Sequence, residues 1–220
     1  MALRRGPERP RGLETRGTPA GQERGARMAG RPLRVGGFSA FTTIDFPGRL
    51  SAVVFVQGCP WRCGYCHNPH LQPRAASGAH AAAPTWADVV DLLRRRVGFL
   101  DGVVFSGGEP TLDAGLSRAM REVKSLGLQV GLHTAGMYPR RLGEVLKQVD
   151  WIGFDVKAPL DRPGSHDRVT GVRDSALPVR DSVQAVLASG VEHEFRTTAH
   201  PGLLDDEALL RIGSGLAAAG

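Results

Sequence analysis

Five times between residues 50 and 216, a short run of apolar, β-branched residues gives way to a segment with helical periodicity. That alternation restricts the fold more than anything else in the chain. Strands are expected at 50–56 (LSAVVFV), 102–105 (GVVF), 128–132, 151–156 and 191–198. Helices are expected over 86–96, 114–126, 140–148, 181–188 and 205–216. Thr85 reads as a helix N-cap with Asp88 in the first turn, and Gly127 and Gly190 read as helix stops. An unbroken run such as Val53–Val56 suits a strand covered on both faces, and strand–helix units in series argue for a parallel α/β sheet. In such folds chemistry gathers where strands end and loops enter the following helices. The five loops here are 58–67 (GCPWRCGYCH), 106–110 (SGGEP), 133–136 (HTAG), 155–157 (DVK) and 198–200. All five are expected to open at one mouth.

Charge adds little to this reading once it is divided. Residues 1–34 carry nine arginines against three glutamates, an excess equal to the whole chain's formal charge of +6. The remainder, 35–220, is formally neutral and forms the expected globular domain, so the basic character is no sign of a nucleic-acid-binding face. The 1–34 stretch, rich in Arg, Gly and Pro, buries too little apolar surface to fold by itself and is expected to be a disordered tail, with Met28 as an alternative start. No charge-free run of about 18 apolar residues is present, which excludes a membrane-spanning helix. No apolar leader opens the chain, so the cytoplasm is the expected compartment.

All three cysteines fall at Cys59-x3-Cys63-x2-Cys66. Thiols this close in a reducing compartment bind metal or do redox chemistry. The spacing admits three readings. Zinc would need His67 as fourth ligand, although Cys66 and His67 are adjacent and would strain to reach one tetrahedral ion. Residues 63–67 (CGYCH) match the C-x-x-C-H haem attachment pattern, which leaves Cys59 unused. An iron–sulfur cluster with three protein thiols keeps one iron open to a small molecule. Zinc and haem would make the protein a non-catalytic metal or electron carrier.

The cysteine motif, with Tyr65 at the aromatic position of C-x3-C-x-aromatic-C, resembles that of radical S-adenosylmethionine enzymes, and SGGEP resembles their GGE segment. The runs 36–48, 55–71, 154–159, 166–171 (HDRVTG) and 195–204 are similar to the activating enzymes of glycyl radical enzymes, and most of all to those of anaerobic ribonucleoside-triphosphate reductase. The resemblance implies a partial (β/α) barrel, here apparently without its sixth strand. It implies a [4Fe–4S] cluster on Cys59, Cys63 and Cys66, and S-adenosyl-L-methionine held by Tyr65, Gly107, Gly108, Glu109, Asp155, Lys157 and His200. Glu109 and the end of the second strand would receive the cofactor's amino group. Glycines there let backbone approach a ligand closely. Asp155 and Lys157, at i and i+2, face the same way and suit ribose hydroxyls and a carboxylate, or else form an ordinary ion pair at the sheet rim. His133 stands before Thr134 where related activases often carry an acidic residue of a cation site. The implied partners are a glycyl radical enzyme, such as that reductase or alternatively pyruvate formate-lyase, and a low-potential electron donor such as flavodoxin or ferredoxin. Neither nucleic acid nor membrane is implied.

Overall fold

The computed structural model describes residues 31–74 and 83–220, so most of the Arg-rich tail, with Met28, lies outside the described residues. Packing begins at Leu33, which is buried in the core two residues before the expected domain boundary. Six strands form one sheet in the order of the chain: β1 (Val35–Thr42), β2 (Ser51–Val56), β3 (Gly102–Gly107), β4 (Gln129–Thr134), β5 (Trp151–Asp155) and β6 (Glu192–Arg196). β2 through β6 run parallel, as the strand–helix alternation predicts. β1 pairs antiparallel on β2 and supplies the sheet's sixth strand at the N-terminal edge. A strand-like segment is expected to begin seven residues after Met28, but its sequence, VGGFSAFT, has neither a continuous apolar run nor a clean alternation to fix its place in the sheet.

Among the described residues the α-helices are α1 (Trp86–Arg96), α2 (Leu116–Ser125), α3 (Pro139–Val145), α4 (Pro163–Thr170), α5 (Ala176–Ser189) and α6 (Asp206–Ala217). In α1, Thr85 and Asp88 close a reciprocal capping box. Its buried residues Trp86, Val89, Val90 and Leu93 follow the i, i+3, i+4, i+7 stripe, and α2 repeats the stripe with Leu116, Ala119, Met120 and Val123. α5 begins five residues before the expected start, because Pro178 lies in its first turn, where a missing N–H costs nothing. α4 escaped notice because two of its three buried residues, His166 and Thr170, are polar.

The alternation of side chains divides the sheet into two faces. Ala52, Val54, Val103, Phe105, Leu132, Ile152 and Phe154 join the helices in the main core. On the other face, toward the starts of the strands, Val53, Val104 and Trp151 form a smaller cluster with Phe46, which the β1–β2 loop carries inward. Phe46 stacks on Trp151 with ring centroids 5.6 Å apart and planes inclined by 25°. This pair floors the inner face, leaving only the strand ends open for chemistry. Phe46→Ala should therefore lower the unfolding free energy by about 3–5 kcal/mol in urea denaturation. A loss below ~1 kcal/mol would show that the inner cluster contributes little.

Candidate active site

The cysteine loop leaves β2 and is fixed on every side by backbone and buried rings. Gly58 N–H donates to Leu71 O at 2.7 Å, and Cys59 N–H donates to Gln72 O at 3.0 Å. Gln57 Nε2 donates to the carbonyls of His70 and Pro73 at 3.1 and 2.6 Å. Arg62 Nη1 reaches back to the carbonyls of Cys59 and Trp61 at 2.8 and 2.9 Å. The HDRVTG segment forms α4, which braces the loop: Arg62 N–H donates to Thr170 O at 2.8 Å, and Trp61 sits edge-on to His166 at 5.5 Å. Burial holds His166 at about 4, so its imidazole is neutral near pH 7. Its Nδ1 pairs with the Ser175 hydroxyl at 2.7 Å.

The end of β3 lies directly against this loop. A methyl group on Gly107 would overlap the backbone of Val56, and one on Gly108 would overlap the Gly58 carbonyl. Gly107 also sits at φ +116, a conformation open to glycine and strained for other residues. Glu109, expected to face a ligand, turns inward and is 1% exposed. Its Oε1 accepts from Thr111 N–H at 3.1 Å, the Thr111 hydroxyl at 2.5 Å and the Thr134 hydroxyl at 2.7 Å. Its Oε2 accepts from Ala135 N–H at 3.0 Å. Held by four hydrogen bonds from two loops, Glu109 clamps the β3 and β4 loops together.

Opposite the cysteines, Asp155 and Lys157 form an ion pair at the end of β5, with Lys157 only 14% exposed. Burial alone would push Lys157 down, but Asp155 beside it reverses the shift and holds it above its ordinary value. The ammonium lies 5.5 Å from the centroid of Tyr65, within cation–π range. Tyr65 stacks on His200 at 6.0 Å, and burial pushes its phenol up to about 12. Its hydroxyl is buried without a hydrogen-bond partner among the described residues.

One cavity of about 220 Å³ gathers Cys59, Cys63, Cys66, Tyr65, Gly107, Gly108, Asp155 and Lys157. Glu109 supports it from behind, and His200 meets it through Tyr65. Arg196 also lines it, and was not singled out in the sequence; His133, noted there only as a departure from the family pattern, lines it too. Arg196 lies opposite Asp155 in the β5–β6 register and holds its guanidinium over Trp151 at 5.6 Å. His133 sits between the Ser106 hydroxyl at 3.2 Å and the Asp45 carbonyl at 3.0 Å. Burial, with Arg196 nearby, lowers His133 to about 4 and leaves it neutral. Alternation along β4 sets His133 on the same face as Gly131, whereas Arg196 is set beside Asp155 only by the β5–β6 register.

Burial raises the Cys59 thiol to about 12 and also raises that of Cys63, so metal must displace their protons to bind. Among the described residues, no three His, Cys, Asp or Glu side chains converge as ligands of one metal ion. The Cys3His set of a zinc site is thus not formed. A four-iron cluster makes a different demand, since its irons are bound at separate corners of a larger body. Three thiols lining one cavity, beside backbone with no intervening Cβ, fit such a cluster, and Cys59, Cys63 and Cys66 would hold it.

The family model of the Radical SAM superfamily matches residues 53–211. A glycyl-radical enzyme activating enzyme of Methanocaldococcus jannaschii is 31% identical over 184 residues, covering 79% of this chain and 71% of that protein. The pyruvate formate-lyase-activating enzyme of Clostridium pasteurianum is 31% identical over 183 residues, 81% of this chain and 73% of its own. Among solved structures, Streptococcus suis SuiB bound to S-adenosylmethionine superposes with a TM-score of 0.54 at 16% identity, over 74% of this chain and 35% of that one. QueE from Escherichia coli gives a TM-score of 0.50 at 15% identity, over 88% and 94%. With the cysteine loop, the glycine edge and the parallel sheet in place, the chain belongs to the radical SAM superfamily, enzymes whose cofactors are a [4Fe–4S] cluster and S-adenosylmethionine.

Proposed function

We propose that this enzyme activates a glycyl radical enzyme, and that Cys59, Cys63 and Cys66 hold its cluster. The observation that carries the reading is the single cavity shared by the three thiols, the Gly107–Gly108 edge and the Asp155–Lys157 pair. When bound, the cluster and S-adenosylmethionine supply one-electron cleavage of a carbon–sulfur bond, giving a 5′-deoxyadenosyl radical able to take hydrogen from a glycine Cα of the partner.

The residues of the chain place that chemistry. Gly107 and Gly108 offer backbone to the cofactor's amino end, and Glu109 keeps this edge in position instead of meeting the ligand itself. Lys157 supplies a fixed positive charge for the carboxylate, and Asp155 faces ribose hydroxyls. Tyr65, in contact with both the Lys157 ammonium and the His200 ring, fixes these groups beside the cysteines. The phenylalanine–tryptophan floor keeps water out from below. The relatives with a named partner are activating enzymes of pyruvate formate-lyase, and they support that partner class over the anaerobic ribonucleotide reductase suggested by the motifs. Anaerobic reconstitution followed by electron paramagnetic resonance tests the choice. A glycyl radical doublet should appear in pyruvate formate-lyase mixed with the reduced enzyme and S-adenosylmethionine, and its appearance only in the reductase would reverse it.

Replacing any one of the three cysteines by Ala should abolish cluster assembly, since the chain has no other thiol. Iron and sulfide analysis after reconstitution checks this, and about four irons per chain in Cys63→Ala would refute the ligand set. Lys157→Ala should weaken S-adenosylmethionine binding roughly ten- to a hundred-fold while iron content stays at the wild-type level, because a charge-assisted contact in a buried site contributes about 1.5–3 kcal/mol. Glu109→Gln should act differently: an NH₂ group would face donors where an acceptor is needed, and the metal-free protein should lose about 1–3 kcal/mol of stability. If Glu109→Gln unfolds like the wild type, the clamp is not a clamp.

A further inference from the structure

The end of the sheet away from the cysteines carries an apolar corner that the core does not absorb. Ile44 is 85% exposed, Phe99 75%, Phe41 53% and Leu50 42%. They belong to two connections that meet at the starts of β2 and β3. Thr42 pairs with Ser51, and its hydroxyl accepts from the Ile44 N–H at 3.3 Å, which sets Phe41 and Ile44 beside Leu50. The Leu50 N–H donates to Asp101 Oδ2 at 2.8 Å, and the Asp101 N–H donates back to the Leu50 carbonyl at 2.7 Å. The turn that holds Phe99 is thereby tied to the same corner. Around it stand charges of both signs. Arg49 and Arg95 are exposed, and neither they nor Arg96 has an ion pair among the described residues. The carboxylates of Asp101 and Asp45 accept from neutral donors, the Leu50 N–H and the Thr42 hydroxyl, which leave their charge in place.

We propose that this corner is the two-fold contact of a homodimer, in which Phe41, Ile44, Leu50 and Phe99 pack on the same side chains of a second copy. Area supports the choice of occupant. The four side chains expose on the order of 500 Å² per copy, so two copies would bury about 1,000 Å², the size at which a contact becomes specific. A contiguous apolar patch of that extent on one chain marks an interaction site. Charge supports it too. A surface of lipid phosphates would meet Asp45 and Asp101 as well as the arginines and be repelled by them. Around a two-fold axis the rim of each copy faces the rim of the other, so carboxylates on one side can meet guanidiniums on the other. The cavity opens among the strand ends, at the other end of the sheet, so both mouths stay free in the dimer. The inference stands independently of the activase reading.

Sedimentation velocity of the full chain at about 100 μM tests this, since a contact near the lower size limit is of the weak class. Wild type should run as a dimer and dissociate on dilution. Phe99→Asp and Ile44→Asp should each raise the dissociation constant roughly tenfold or more, because each presses a carboxylate into the apolar centre of the contact. Leu210→Asp, on α6 at a position 74% exposed, makes the same change away from the corner and should leave the dimer intact. All three positions are exposed, so the unfolding midpoint of each variant should stay at the wild-type value. A monomeric wild type overturns the proposal. So does a dimer that Phe99→Asp leaves unchanged, or that Leu210→Asp weakens equally. A monomeric wild type that sediments with vesicles of equal parts phosphatidylcholine and phosphatidylglycerol, and loses that binding in Phe99→Asp, would give the corner to a membrane instead.

Discussion

The site depends on one buried carboxylate. Glu109 has left water entirely, a position that is costly for a charge unless hydrogen bonds replace the lost solvent. Four donors do so, and they come from two different loops, so the carboxylate is stable only while the β3 and β4 loops hold their relative positions. The N–H of the same residue bonds the Gly58 carbonyl and draws the cysteine loop into the arrangement. Three of the loops that meet at the mouth are thus set before any ligand arrives. Preorganisation of this kind lets a site spend its binding interactions on chemistry instead of on ordering itself.

The electrostatics follow from what stands beside three buried basic groups. His133 and His166 have no carboxylate in contact and lose their protons to desolvation. Lys157 is equally withdrawn from water, yet Asp155 beside it keeps the ammonium charged. Near neutral pH the cavity therefore presents two cations, Lys157 just after β5 and Arg196 on β6, with the Asp155 carboxylate beside them and neutral rings and backbone around.

Much of this was legible in the sequence. The five parallel strands and the α1 and α2 stripes follow from periodicity, and Thr85, Gly127 and Gly190 mark helix ends by residue chemistry. The glycines of SGGEP also behave as read, because the approach of two backbones leaves no room for a Cβ. The orientation of Glu109 was not legible, since the donors that turn it inward lie up to 26 residues away on another strand. α4 was hidden for a related reason: it is held by what it packs against, and its own pattern is too weak to announce it. Arg196 needed the register of β6 against β5, which no local window contains.

The Phe46–Trp151 stack has a consequence for the route to the thiols. Both rings are almost fully buried, and they fill the inner face toward the starts of the strands. The cavity is lined instead by strand ends and the loops beyond them. A molecule bound for the cysteines therefore arrives from the strand ends, and two stacked rings on the opposite side set the direction of that traffic.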